Sequence, residues 1–93
     1  VAKWAAIRYA SDHIFDFMEI DDQHAIFEVE IPESWAGKTI GELDVRRRFG
    51  INILGVKRAG KTDVAVTSET VMPRDATILA LGDYKALHKC FHI

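Results

Sequence analysis

The stretch from Gly37 to Ile53 carries the residue types that best suit a small-ligand site. It combines a capped short helix, a glycine stop and a buried strand, and it includes consecutive arginines at positions 46, 47 and 48. The planar guanidinium of arginine can donate two parallel hydrogen bonds to a phosphate or carboxylate. The same stretch lacks the nucleophile, metal cluster or acid pair that an enzyme needs. We therefore expect it to bind a small molecule rather than to catalyse a reaction.

Two histidines and an acidic zone are the other candidates for chemistry. His88 and His92 stand four residues apart on a predicted helix, a spacing that can bind a metal ion. Cys90 lies about 200° from His88 around that helix, so it cannot join the same site. The acidic zone comprises Asp12, Asp16, Glu19, Asp21 and Asp22. Its spacing lacks the calcium-loop pattern. We interpret both features as exposed surface and predict no metal site.

Composition argues against several classes of protein. The 93 residues have a formal net charge of −2, which gives no reason to expect binding to nucleic acid. Three consecutive arginines in a net acidic chain are too few to bind along a phosphate backbone. The single cysteine cannot form an internal disulfide, which fits a reducing cytosol. No apolar run approaches the roughly 18 residues of a membrane-spanning helix. Ser11, Ser34 and Ser68 lack the context of a catalytic nucleophile, so no catalytic residue is predicted.

The first half of the chain predicts two helices and a strand. Trp4, Ile7, Ser11, Ile14 and Met18 recur at a 3-4-3-4 spacing, which predicts a helix over 3–18. An acidic linker follows, and apolar residues then alternate with glutamates over 24–31, as in a half-buried strand ended by proline. A threonine followed three residues later by glutamate predicts a capping box and a helix from Ile40 to about Arg48.

The second half predicts three strands and a final helix. Strands over 51–58 and 62–67 are joined by a tight turn into a hairpin, and a proline turn precedes a strand over 77–81. Asp83 is the expected N-cap of the last helix. The order helix, then strand–helix–strand–strand–strand–helix, predicts a small α+β sandwich with an antiparallel or mixed sheet and helices on one side.

From about Asp22 to Phe91 the chain resembles the RCK-C (TrkA-C) domain of bacterial potassium-transport regulators. The motifs that carry the resemblance are Phe27-Glu28-Val29, Gly37-Lys38-Thr39-Ile40-Gly41-Glu42-Leu43-Asp44, Arg48-Phe49-Gly50-Ile51-Asn52-Ile53, and Pro73-Arg74-Asp75 before Ile78-Leu79-Ala80-Leu81-Gly82. Together these motifs span roughly three quarters of the chain. Their combined order and spacing identify the family more specifically than any single motif does.

The resemblance implies a regulatory subunit rather than an enzyme. Residues 1–21 would be a connector helix from a missing N-terminal nucleotide-binding domain, and residues 22–93 an RCK-C ligand-binding and dimerisation domain. No dinucleotide fingerprint is present, so no nucleotide cofactor is assigned to this fragment. The family implies a homodimer, a higher ring assembly in the full-length protein and a membrane potassium channel or transporter subunit as partner. It also implies a cytoplasmic location at the inner face of the cell membrane, without insertion.

In the similar potassium-uptake subgroup the dimer interface binds cyclic di-AMP, a two-fold symmetric dianion with two purines. Local alignment with that family makes Ile40, Asp44, Arg46, Asn52 and Ile53 the candidate ligand residues. The isoleucines would flank the bases, Arg46 would donate to a phosphate, Asn52 would bond a base edge or phosphate, and Asp44 would accept from an adenine amino group or orient Arg46. Each isoleucine can equally be core, Arg46 can sit in the last turn because the helix dipole favours cations there, and Asn52 can simply begin a strand.

The sequence thus predicts the gating domain of a potassium uptake transporter that binds a small anionic ligand between two copies. The alternative is a ligand-free dimerisation module of a cation transporter, antiporter or transcriptional regulator. An apolar cleft with paired arginines favours the first interpretation, and a polar cleft favours the second.

Overall fold

A computed structural model describes residues 14–91 of the chain. Five strands form one sheet: β1 (Ile14–Glu19), β2 (His24–Glu30), β3 (Asn52–Arg58), β4 (Lys61–Asp63) and β5 (Thr77–Asp83). Three helices accompany it: α1 (Ile40–Leu43), α2 (Val45–Phe49) and α3 (Tyr84–Phe91). A 3₁₀ turn at Glu33–Trp35 follows β2.

The sheet is antiparallel, with strand order β1-β2-β5-β3-β4. Its centre is the pairing of β2 with β5, which runs without a register shift from His24 opposite Asp83 to Glu30 opposite Thr77. Side chains alternate between faces along a strand, so one face of β2 is buried and the other carries the glutamates. This alternation confirms the strand predicted over 24–31. The observed strand ends at Glu30, one residue earlier than predicted.

The buried face of the sheet packs against the helices. Phe27 and Ile78 are fully buried there, and the core they join contains Leu43 of α1, Val45 of α2 and Leu87 of α3. Burying side chains of this size stabilises the fold by about 1.5–3 kcal/mol each relative to exposure. The predicted α+β sandwich with helices on one side of the sheet is confirmed.

The predicted helix over 3–18 is wrong where the structure describes it. Residues 14–18 belong to β1, which pairs antiparallel with β2 along the edge of the sheet. Pairing decides the conformation because Ile14 is buried against β2 and Phe17 is partly buried there, with the Phe17 and Phe27 ring centroids 5.9 Å apart. Residues 3–13 of that predicted helix lie outside the described residues, and the connector role of residues 1–21 stays a prediction.

Two further elements differ from expectation. The helix predicted from Ile40 to Arg48 is two short helices, because Asp44 adopts a left-handed backbone with φ 51°. The strand predicted over 62–67 is the shorter β4, and the Asp63 carboxylate accepts a hydrogen bond from the Ala65 N–H just past its end. Among residues 14–91, no helix is long and apolar enough to cross a bilayer.

The predicted helix ends are confirmed. The Thr39 hydroxyl accepts from the Glu42 N–H at 3.1 Å, and the Glu42 carboxylate accepts from the Thr39 N–H at 3.0 Å. Gly50 closes α2 with φ 74°, a conformation that glycine adopts without steric cost. The Asp83 carboxylate accepts from the Ala86 N–H at 2.7 Å, as an N-cap of α3 does.

Removing the cap of α1 should destabilise the domain. We expect Thr39→Ala to lower the free energy of unfolding by about 1 kcal/mol, the usual cost of a lost N-cap, in urea unfolding at pH 7. Ser34→Ala, in an exposed turn, should change it by less than about 0.5 kcal/mol. An equal effect of the two substitutions would contradict the role of the capping box.

The cap also predicts a direction of pH dependence. Hydrogen bonds from the Thr39 backbone and side chain lower the pKa of Glu42 from its ordinary value of 4.5. A carboxyl whose pKa is depressed by folding contributes stability above its unfolded pKa, and that contribution is lost as the pH falls through the folded pKa. The free energy of unfolding, measured in urea, should therefore fall less between pH 6 and pH 3 in Glu42→Gln than in wild type. An identical fall in both would contradict the contribution of the Glu42 carboxylate to stability.

Candidate functional site

A cavity of about 320 Å³ lies between α1, α2, the start of β3 and the segment 66–68. All five candidate residues from the sequence line it: Ile40, Asp44, Arg46, Asn52 and Ile53. The structure thus brings together side chains from two helices and a strand that are up to 13 positions apart in the chain. This proximity is a property of the fold, and their role toward a ligand stays a prediction.

Backbone hydrogen bonds hold one wall of the cavity against the start of α1. The Ile40 N–H donates to the Thr70 carbonyl at 2.9 Å, and the Gly41 N–H donates to the Ser68 carbonyl at 2.8 Å. A Cβ at Gly41 would lie 3.0 Å from that same carbonyl oxygen, so glycine permits this close approach. These two hydrogen bonds hold the segment 66–68 over α1, where it forms the outer wall of the cavity.

Six residues that line the cavity were not predicted from the sequence as site residues. Gly41, Val45 and Ile51 are neighbours of predicted ones in the chain, whereas Val66, Thr67 and Ser68 come from a separate segment. Val66 and Thr67 were expected to belong to the third strand, and Ser68 was considered only as a nucleophile. Gly41 is the one sequence feature that could have indicated this wall, because a glycine inside a short capped helix often marks the close approach of another backbone.

The three consecutive arginines take three different directions. Arg46 lines the cavity, is exposed, and forms no ion pair with any of residues 14–91. The Arg47 Nε lies 2.9 Å from the Asp44 carboxylate. The Arg48 guanidinium lies 5.1 Å from the centre of the Phe49 ring, on another side of α2. In this structure the Asp44 carboxylate pairs with Arg47, and the two roles that the sequence suggests for Asp44 toward a ligand stay predictions.

Asn52 and Ile53 are neighbours in β3, so their side chains point to opposite faces of the sheet. Ile53 lies opposite Ala80 and packs at the margin of the core, whereas Asn52 lies opposite Leu81. Asn52 also lines a neighbouring cavity of about 360 Å³ beside His24. Ile40 and Ile53 thus belong to an apolar wall that also contains Val45, Ile51 and Val66, and Asn52 lines both cavities.

The structure also describes most of the other residues considered for chemistry. The His88 ring stacks on Tyr84 with centroids 6.3 Å apart, and His92 lies outside the described residues. Among residues 14–91, no three His, Cys, Asp or Glu side chains are grouped to hold a metal ion. Asp21 of the acidic zone binds the His24 ring at 2.9 Å. Burial raises the pKa of the Cys90 thiol to about 11, which disfavours a nucleophilic thiolate.

Comparison with known proteins agrees with the fold. The TrkA-C domain matches residues 25–89. The Ktr system potassium uptake protein C of Bacillus subtilis (strain 168) is 28% identical over 82 residues, which are 88% of this chain and 37% of that protein. The chain thus spans little more than a third of this relative's length.

Two solved structures are similar over most of the chain. The GsuK RCK domain superposes with a TM-score of 0.71 at 26% identity, over 83% of this chain and 17% of that chain. The RCK_C domain dimer of S. agalactiae BusR in complex with c-di-AMP superposes with a TM-score of 0.63 at 25% identity, over 72% of this chain and 91% of that chain.

The matched region contains the sheet from β2 to β5, both helices of the candidate site and most of α3. The relatives are a potassium uptake protein and RCK domains, which are regulatory and not enzymatic. This chain therefore belongs to the TrkA-C (RCK-C) family, the regulatory domains of potassium transport proteins.

Proposed function

We propose that the chain is the cytoplasmic regulatory domain of a potassium uptake system and binds cyclic di-AMP across the two-fold axis of a homodimer. The observation that carries the proposal is that five residues chosen from the sequence line one cavity of about 320 Å³. Four of the five are partly buried, and the exposed one is the arginine. A cavity with apolar walls and an exposed cation at its edge suits a purine attached to a phosphate.

Each part of the ligand has a matching group in the cavity. Ile40 and Ile53 offer apolar surface to a base. Arg46, without an ion pair among residues 14–91, keeps its guanidinium donors available for a phosphate oxygen. The Asp44 carboxylate pairs with the exposed Arg47 through one oxygen and retains the other, which can accept from an adenine amino group.

Size and symmetry favour a site shared by two copies. Drug-sized ligands occupy pockets of about 300–1,000 Å³, so one cavity of about 320 Å³ suits half of a cyclic dinucleotide better than the whole. A two-fold dimer presents the same patch twice, which matches a ligand made of two identical halves. The similarity to the BusR RCK_C dimer, solved in complex with c-di-AMP, supports this assignment.

The proposed mechanism is a population shift. A ligand that binds one dimer arrangement more tightly than another increases the population of that arrangement. The segment before β1 would connect this domain to an N-terminal nucleotide-binding domain, and the assembled ring would contact a membrane potassium channel or transporter subunit. The protein would then act at the inner face of the cell membrane without inserting into it.

Calorimetry tests the ligand. We expect saturable binding of one cyclic di-AMP per two chains at micromolar concentrations. Arg46→Gln should weaken binding at least about tenfold, because a hydrogen bond to a charged group contributes about 1.5–3 kcal/mol. Arg74→Gln is the matched control, since Arg74 is exposed and lines none of the cavities described above.

Thermal melting should show that both variants are folded. Absence of saturable binding to wild type would contradict the proposal and favour the ligand-free dimerisation module. Equal weakening by the two arginine substitutions would contradict the role of Arg46 and leave only a general electrostatic effect.

Sedimentation velocity tests the shared site. Cyclic di-AMP should increase the dimer fraction of a dilute sample, because a ligand that contacts two copies stabilises their association. AMP, which carries one base and one phosphate, should not increase it. A ligand-saturated single chain at every concentration tested would refute the two-fold site.

A further inference from the structure

A second cavity, larger than the one described above, has no role in the function proposed above. It encloses about 720 Å³ between the turn that follows β2, helix α2 and helix α3. It lies on the other side of α2 from the 320 Å³ cavity, and Val45 lines both. Its volume is in the range of pockets that hold a whole small molecule.

The lining of this cavity is aromatic. The Trp35 and Phe91 rings lie 5.4 Å apart between centroids at an angle of 47°, and they come from the turn and from α3. Phe49 of α2 adds a third ring, below the Arg48 guanidinium. Trp35 and Phe91 pack on each other, and all three side chains are only partly buried, so part of each ring surface stays accessible for a flat aromatic body to pack against.

The charges of the cavity are arranged on two walls. Arg48 and Lys89 line it from the helices, whereas Glu30 and Glu33 line it from the end of β2 and the turn. Arg48 donates one hydrogen bond to the Leu43 carbonyl at 3.3 Å and forms no ion pair with residues 14–91. Its remaining N–H groups can donate to one anionic group, while the Glu33 carboxylate on the opposite wall disfavours an occupant with a second negative charge.

We propose that this cavity is a second small-molecule site, for a singly charged aromatic anion such as an aromatic carboxylate or sulfonate. The aromatic body packs against Trp35 and Phe91, and the anionic group binds the Arg48 guanidinium. All the residues that line this site come from one chain, so the site needs no two-fold axis.

Fluorescence titration with 8-anilino-1-naphthalenesulfonate tests the proposal. This probe is a monoanionic aromatic sulfonate, and N-phenyl-1-naphthylamine is the same body without the sulfonate. We expect one sulfonate probe to bind per chain with saturation. Arg48→Gln should weaken its binding at least about tenfold, whereas Arg74→Gln should leave it unchanged. The neutral probe should bind wild type and Arg48→Gln alike, which also shows that the cavity survives the substitution.

Alkylation of the single cysteine locates the probe. Cys90 lines the same cavity and is half-buried, so the bound sulfonate probe should slow its reaction with a maleimide at pH 8. Non-saturating binding, equal effects of Arg48→Gln and Arg74→Gln, or an unchanged rate at Cys90 with saturating probe would each overturn the proposal. None of these outcomes bears on cyclic di-AMP, because that ligand is absent from the experiment.

Discussion

The left-handed backbone at Asp44 is the constraint on which the candidate site depends. In a continuous helix Leu43 and Val45 would stand about 200° apart, so one of them would face solvent. The break at Asp44 lets both be buried, with 6% and 3% of their surface exposed. A left-handed non-glycine residue costs about 1–2 kcal/mol, and burying an additional branched side chain offsets that cost. Aspartate is among the residues that best tolerate this conformation.

The same break makes α2 a wall between two cavities. The five-residue helix is bounded by left-handed residues at both ends, Asp44 and Gly50, so its direction is set independently of α1. Arg46 then faces the smaller cavity, Arg47 returns to the Asp44 carboxylate, and Arg48 crosses toward α3. The three arginines, which are consecutive in the sequence, therefore lie in three separate environments.

Local signals in the sequence predicted much of this fold. The capping box, the glycine stop and the alternation of β2 depend on near neighbours, and each is confirmed. The failures depend on contacts that spacing does not reveal. Ile14 and Met18 fit a helical stripe, but pairing with β2 makes them part of a strand. The continuous helix predicted from Ile40 to about Arg48 is broken at Asp44, because burial of Val45 together with Leu43 is a contact that the spacing does not reveal.

The candidate residues could be named from the family resemblance, whereas the outer wall 66–68 and the aromatic cavity could be found only from the three-dimensional arrangement.

A nuclear magnetic resonance titration of the domain with cyclic di-AMP tests most directly whether this ligand binds in the 320 Å³ cavity. Amide signals of Ile40, Asp44, Arg46 and Ile53 should shift together and saturate, while those of Trp35 and Phe91 stay in place. Saturating shifts confined to Trp35 and Phe91, or no shifts at all, would contradict binding in this cavity.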